Sequence, residues 1–138
     1  MRQAYIVLVE DNESDAFLVG QALREHSVRA ELTVLRDGEE AFHFLDAVDN
    51  GLKQCPDLFI LDLKLPKKTG HEVLARMRST GACSEVPVVV LSSSLALLDT
   101  KESKRLGVVR HIQKPLNLDE FIRIGAVLKA VLNGIPLT

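Results

Sequence analysis

The chain has 138 residues and a mass of 15.2 kDa, with 17 basic against 19 acidic residues and a formal net charge of −2. That length fits one domain of roughly 100–200 residues, and a hydrophobic fraction of 46% with 26% charged residues excludes disorder as the main state. The near-neutral charge argues against non-specific nucleic-acid binding, and no run of about 18 apolar residues is present to span a membrane.

In chain order, an apolar run at 5–9 is apolar at nearly every position, as expected of a strand covered on both faces. Ala16, Leu18, Val19, Ala22 and Leu23 follow with helical spacing. A weaker strand at 32–35 leads to Asp37-Gly38, which opens a helix marked by Ala41, Phe42, Leu45 and Val48. The third strand, at 58–61, is followed by Thr69-Gly70 and a helix marked by Val73, Leu74 and Met77, closed by Gly81. A fourth strand at 86–91 precedes a more polar helix over 97–106, closed by Gly107. After a fifth strand at 108–112, Leu116-Asn117 offers an N-cap to a helix over 118–132, with Asp119 and Glu120 in its positive first turn.

A strand and a helix thus alternate five times without linker or repeat. This predicts an α/β domain over residues 1–138: a five-stranded parallel sheet, doubly wound, with the less apolar second and fifth strands at its edges. The core is expected over about 4–133, with an apolar tail at 134–138. In such sheets ligands bind beyond the carboxyl ends of the strands. Glu10 and Asp11 stand after the first strand, Asp62 after the third, Ser92 after the fourth and Lys114-Pro115 after the fifth.

Three carboxylates and one ammonium converging on one edge leave an excess of negative charge, and desolvating crowded carboxylates is costly. A hard divalent cation relieves that cost, and Mg²⁺ favours one or two carboxylates together with water and phosphate oxygens. A carboxylate beside Mg²⁺ can attack a phosphoryl group to give an acyl phosphate. Lys114 and Ser92 could then serve the oxygens of the transferring group. This inventory points to phosphoryl transfer to Asp62.

The segments Leu8-Val9-Glu10-Asp11-Asn12, Leu61-Asp62-Leu63-Lys64-Leu65-Pro66 with Gly70, Val89-Val90-Leu91-Ser92-Ser93 and Lys114-Pro115 resemble the receiver domain of two-component response regulators. The intervals agree, thirty residues from Asp62 to Ser92 and twenty-two from Ser92 to Lys114. The resemblance covers essentially the whole chain and implies the flavodoxin-like receiver fold. It further implies Asp62 as phosphoacceptor, and Mg²⁺, with Mn²⁺ as an alternative, held by Glu10, Asp11, Asp62 and the backbone carbonyl of Lys64. Ser92 would be the switch hydroxyl and Lys114 its partner at the phosphoryl group. The Lys114-Pro115 peptide is expected to be cis, as it usually is in the family. Residues 9–12, 65–74 and 88–94, with the long stretch at 46–56, are similar to the single-domain regulators paired with bacterial phytochrome kinases. The implied partner is therefore a sensor histidine kinase, with a bacteriophytochrome as the expected one.

Some positions depart from the commonest receiver pattern. Glu10 stands for Asp and Ser92 for Thr, each keeping its oxygen. His111 stands where the family usually has Tyr or Phe, as a substitute rotor in the switch or as a plain surface histidine. Lys64 and Ser94 occupy the variable positions that tune dephosphorylation. By analogy, Phe17, Leu18 and Gln21 on the first helix form the kinase-docking face, and the region from the fourth helix to the fifth strand carries the switch.

Other features are plainer. His26, His43 and His71 are expected at the surface. Cys55 and Cys83 have neither metal-ligand spacing nor a disulfide framework, which fits a reducing cytoplasm. No signal peptide precedes the first apolar segment. The last helix is apolar in nearly every direction and runs into Ile135-Pro136-Leu137, which suggests a homodimer through Phe121, Leu128, Ile135 and Leu137, or else a tail folded back on its own domain. The expected protein is a cytoplasmic signalling module rather than an enzyme, with no output domain and with output by protein contact or phosphorelay. A phosphorylation-independent dimeric adaptor is the alternative. A flavin-type cofactor binder is disfavoured, because Glu10-Asp11 would repel a cofactor phosphate after the first strand.

Overall fold

Runs of Val, Ile and Leu flanked by helical segments fold as a wound sheet in the computed structural model, which describes residues 3–94 and 100–134. The elements are β1 Ala4–Val9, α1 Glu13–Glu25, β2 Ala30–Leu35, α2 Gly38–Asp49, β3 Leu58–Leu61, α3 Gly70–Ser79, β4 Val88–Ser92, α4 Thr100–Arg105, β5 Val108–Gln113 and α5 Leu118–Leu132, with a 3₁₀ turn at Gly81–Cys83. All strands are parallel, in the order β2-β1-β3-β4-β5, so β2 and β5 are the edges. Residues 95–99 lie outside the described residues, and with them the first part of the helix expected over 97–106.

Successive side chains of a strand point to opposite faces, and both faces are buried. Val7, Val9, Phe59 and Leu61 face α2 and α3, meeting Phe44, Leu45, Val73, Leu74 and Met77. Ile6, Leu8, Ile60, Val89 and Leu91 face α1 and α5, meeting Val19, Leu23, Phe121, Ile124 and Leu128. Side-chain caps start the helices where expected: Asp37 accepts the Glu40 N–H at 2.8 Å, and Asn117 accepts those of Asp119 and Glu120 at 2.8 and 3.3 Å. Thr69 and Glu72 form a reciprocal capping box at the start of α3. β4 starts at Val88 rather than at 86, because Val86 donates its N–H back to Cys83 in the preceding turn and Pro87 has no N–H to give.

Four expectations are corrected. Phe121 and Leu128 are 2% and 0% exposed, consumed by the core of their own domain, so they offer no dimer surface. The cause is that α5 packs on α1 as well as on the sheet. A Cβ on Gly125 would stand 2.2 Å from the Ala22 carbonyl oxygen, so only glycine allows this approach. His26 is half-buried in the same seam, its Nε2 3.1 Å from the Ile122 carbonyl oxygen. Cys55 and Cys83 form a disulfide, their Cα atoms 5.6 Å apart across 28 residues. The approach to β3 and the 3₁₀ turn bring them together, and the cysteine argument for a reducing compartment lapses. No peptide among the described residues is cis, so Lys114–Pro115 is trans, the lower-energy form even before proline. Ile135 and Leu137 lie outside the described residues.

Candidate functional site

The carboxyl edge of the sheet is tied together by backbone bonds that continue the strand ladders. Glu10 donates its N–H to Leu35 at 2.9 Å, Asp62 to Val9 at 3.1 Å and Lys114 to Ser92 at 2.8 Å. Residues 52 and 104 positions away from Glu10 are thereby brought to one place. A close approach of the α3 start completes the floor: a Cβ on Gly70 would lie 2.5 Å from Leu63 Cα and 2.8 Å from the Asp62 carbonyl oxygen, so a side chain there would displace the loop behind Asp62.

Lys114 is the hub. Its Nζ lies 2.5 Å from Glu10 Oε1, 2.8 Å from Asp15 Oδ2 and 3.0 Å from Asp62 Oδ2. The lysine side chain is 9% exposed, and those of Glu10 and Asp62 are 1% and 6% exposed. Burial alone draws the Lys114 pKa down, but the hydrogen bonds it donates to Asp15, Glu10 and Asp62 outweigh it and hold the ammonium above its ordinary value. Glu10 moves the other way for an acid. Burial first, with the charge of Asp62 adding to it, pushes its carboxyl up to about 7 against the pull of Lys114.

The remaining oxygens are partly engaged. Asp62 Oδ1 accepts the Lys64 N–H at 3.0 Å, and Glu10 Oε2 accepts that of Asn12 at 3.2 Å. Glu10, Asp11 and Asp62 each offer an oxygen, all within 4.8 Å of one another, with Asp11 exposed to solvent at the mouth. Hard oxygen donors crowded this closely suit a divalent cation. Ser92 is fully buried at the end of β4, and its Oγ has no hydrogen-bond partner among the described residues. A buried hydroxyl without a partner is costly, and a ligand oxygen at this edge would satisfy it.

Glu10, Asp11, Asp62, Ser92 and Lys114 thus all stand at the expected edge. The Lys64 side chain is exposed and Ser94 is half-buried beyond β4. On β5, His111 is half-buried in register with Val90, and its Nε2 lacks a partner among the described residues. Phe17 is 65% exposed. Leu18 instead packs partly against the α1/α5 layer, and Gln21 accepts a hydrogen bond from Arg24 at 2.8 Å. Asp15 is the participant that the sequence reading missed. The available signal was its place four residues after Asp11, a spacing that puts two side chains on one side of a helix start.

Comparison with known proteins adds to this geometry. The family model described as the response regulator receiver domain matches residues 6–124. Response regulator Rcp1 of Synechocystis sp. is 38% identical over 122 residues, covering 86% of this chain and 82% of its own. The Mn²⁺-bound form of Rcp1 superposes with a TM-score of 0.80 at 33% identity, over 98% of this chain and 99% of that one. The phosphorylated cyanobacterial phytochrome response regulator RcpA gives a TM-score of 0.84 at 38% identity, over 96% and 95% of the two chains. The bacteriophytochrome response regulator AtBRR gives 0.72 at 34% identity, over 100% and 97%.

Proposed function

The chain belongs to the response regulator receiver family, and on that footing we propose that it takes a phosphoryl group from a sensor histidine kinase onto Asp62 and signals by protein contact or phosphorelay. One observation carries this reading: Glu10, Asp11, Asp62 and Lys114 meet at one sheet edge, beside a buried Ser92 hydroxyl that lacks a partner among the described residues.

In the proposed step an Asp62 carboxylate oxygen attacks phosphorus. The bond from phosphorus to the kinase's histidine nitrogen breaks, its electron pair stays on that nitrogen, and an acyl phosphate forms. The Lys64 N–H fixes the plane of the carboxylate. The Lys114 ammonium pairs with one phosphoryl oxygen and the Ser92 hydroxyl reaches another. Glu10, Asp11, Asp62 and the Lys64 carbonyl would hold Mg²⁺, or Mn²⁺ in its place, which when bound neutralises the crowded carboxylates and the charge on the transferring group. The protein then hydrolyses the acyl phosphate slowly, with Lys64 and Ser94 setting the rate. His111 turns with Ser92 in the switch, and its buried Nε2, without a partner among the described residues, supports that role.

The names of RcpA and AtBRR favour a phytochrome kinase as the donor. Exposed Phe17, flanked by Leu18 and Gln21, is the proposed docking point on α1. Homodimerisation, if built on α5, would use its partly exposed apolar positions and the tail in place of Phe121 and Leu128. The direct test is phosphotransfer from an autophosphorylated phytochrome kinase. Label moves to the wild type and not to Asp62→Asn; transfer to folded Asp62→Asn would overturn the assignment.

A further inference from the structure

Lys114 touches three carboxylates, and one of them lies outside the proposed metal site. Glu10 and Asp62 belong to the group whose oxygens lie within 4.8 Å of one another, whereas Asp15 does not. Yet Asp15 Oδ2 is 2.8 Å from Lys114 Nζ, closer than Asp62 Oδ2 at 3.0 Å. Its place is set independently of the lysine. Asn12 caps α1 by accepting the Asp15 N–H at 3.0 Å, and Arg36 ties neighbouring Glu13 at 2.5 Å.

A divalent cation bound by Glu10 and Asp62 would meet an ammonium already paired with both. Like charges at that range repel, and a lysine side chain only 9% exposed has little water to fall back on. Among the described residues, Asp15 is the one carboxylate in contact with Lys114 that the cation leaves free.

We propose that Asp15 is a positioning residue: it keeps the Lys114 ammonium beside Asp62 when a cation takes over Glu10, Asp11 and Asp62, ready to pair with a phosphoryl oxygen. Without Asp15, Lys114 has only the cation's own ligands to pair with and competes with the cation for them. The inference rests on the metal site proposed above.

Calorimetric Mg²⁺ titration of wild type, Asp15→Asn, Lys114→Gln and the double variant tests it. Asp15→Asn is expected to weaken Mg²⁺ binding on the order of five-fold, and far less when Lys114 is already glutamine. Equal weakening in both backgrounds would make Asp15 a mere distant charge and overturn the proposal. A second readout is the Lys114 Nζ–H resonance at saturating Mg²⁺. It stays protected from solvent exchange in the wild type and loses protection in Asp15→Asn; equal protection in the two would count against the role. Absence of Mg²⁺ binding by the wild type would remove the metal site itself. Binding without coupling to Lys114 would remove only the role of Asp15.

Discussion

Glu10 shows how one buried acid governs what this edge can hold. Its carboxyl, moved from 4.5 up to about 7 chiefly by burial, keeps a proton in the folded chain at pH values where the unfolded chain has released it. In the metal-free protein this contribution to stability is full below about 4.5 and is lost as pH rises through about 7. A cation needs the carboxylate, so apparent Mg²⁺ affinity falls below pH 7 by at most about ten-fold per pH unit. Titration at about pH 6 and about pH 8 is expected to show weaker binding at the lower value in the wild type, and a flatter profile in Glu10→Gln. An equally flat wild-type profile would contradict the assignment. The candidate site residues were legible in the sequence because the rule for parallel sheets places chemistry at the carboxyl ends of strands: Glu10, Asp11, Asp62 and Lys114 follow a strand and Ser92 ends one. Asp15 was not, because its contact with Lys114 spans 99 residues and depends on the direction in which α1 leaves the sheet.

At the scale of elements, strands were readable from unbroken apolar runs and helix starts from their capping residues. The α1/α5 seam was not. Apolar residues around α5 suggested a surface for a partner, whereas the helix buries Phe121, Ile124 and Leu128 against two neighbours of its own, the sheet and α1. Gly125 is the determinant, and a lone glycine inside a helical pattern carries no signal of what approaches it. Gly125→Ala would place a methyl 2.2 Å from the Ala22 carbonyl oxygen, which cannot retreat without shifting α1, and 2.4 Å from His26 Cδ2. A loss of about 2 kcal/mol or more is expected in denaturant unfolding. The control is Gly20→Ala on α1, where the nearest atoms lie 3.7 and 3.8 Å away. There a gain of about 0.5–1 kcal/mol is expected from helix propensity. Equal effects at the two sites would show that the close packing of α1 on α5 is not what Gly125 serves.

At the scale of the molecule, the site and its proposed docking surface share one end of the sheet. α1 leaves β1, and α5 leaves β5 through Leu116, at the carboxyl edge. Phe17, Leu116 and Leu118 are 65%, 106% and 59% exposed. Phe17→Ala is expected to slow phosphotransfer from the kinase at least several-fold while leaving phosphorylation by a small-molecule donor unchanged; slowing of both would place Phe17 in the chemistry instead of in docking. The disulfide lies elsewhere, joining the approach to β3 with the turn before β4, and went unanticipated because pairing follows from tertiary proximity that spacing does not encode. The central claim is that Asp62 accepts a phosphoryl group with the help of a divalent cation. Intact-protein mass after incubation with a small-molecule phosphodonor, with and without Mg²⁺, on wild type and Asp62→Asn, tests it most directly. The account predicts a single phosphoryl adduct that requires Mg²⁺ and is missing from the variant. A folded wild type that takes up no phosphoryl group, or an adduct that survives in Asp62→Asn, would contradict it.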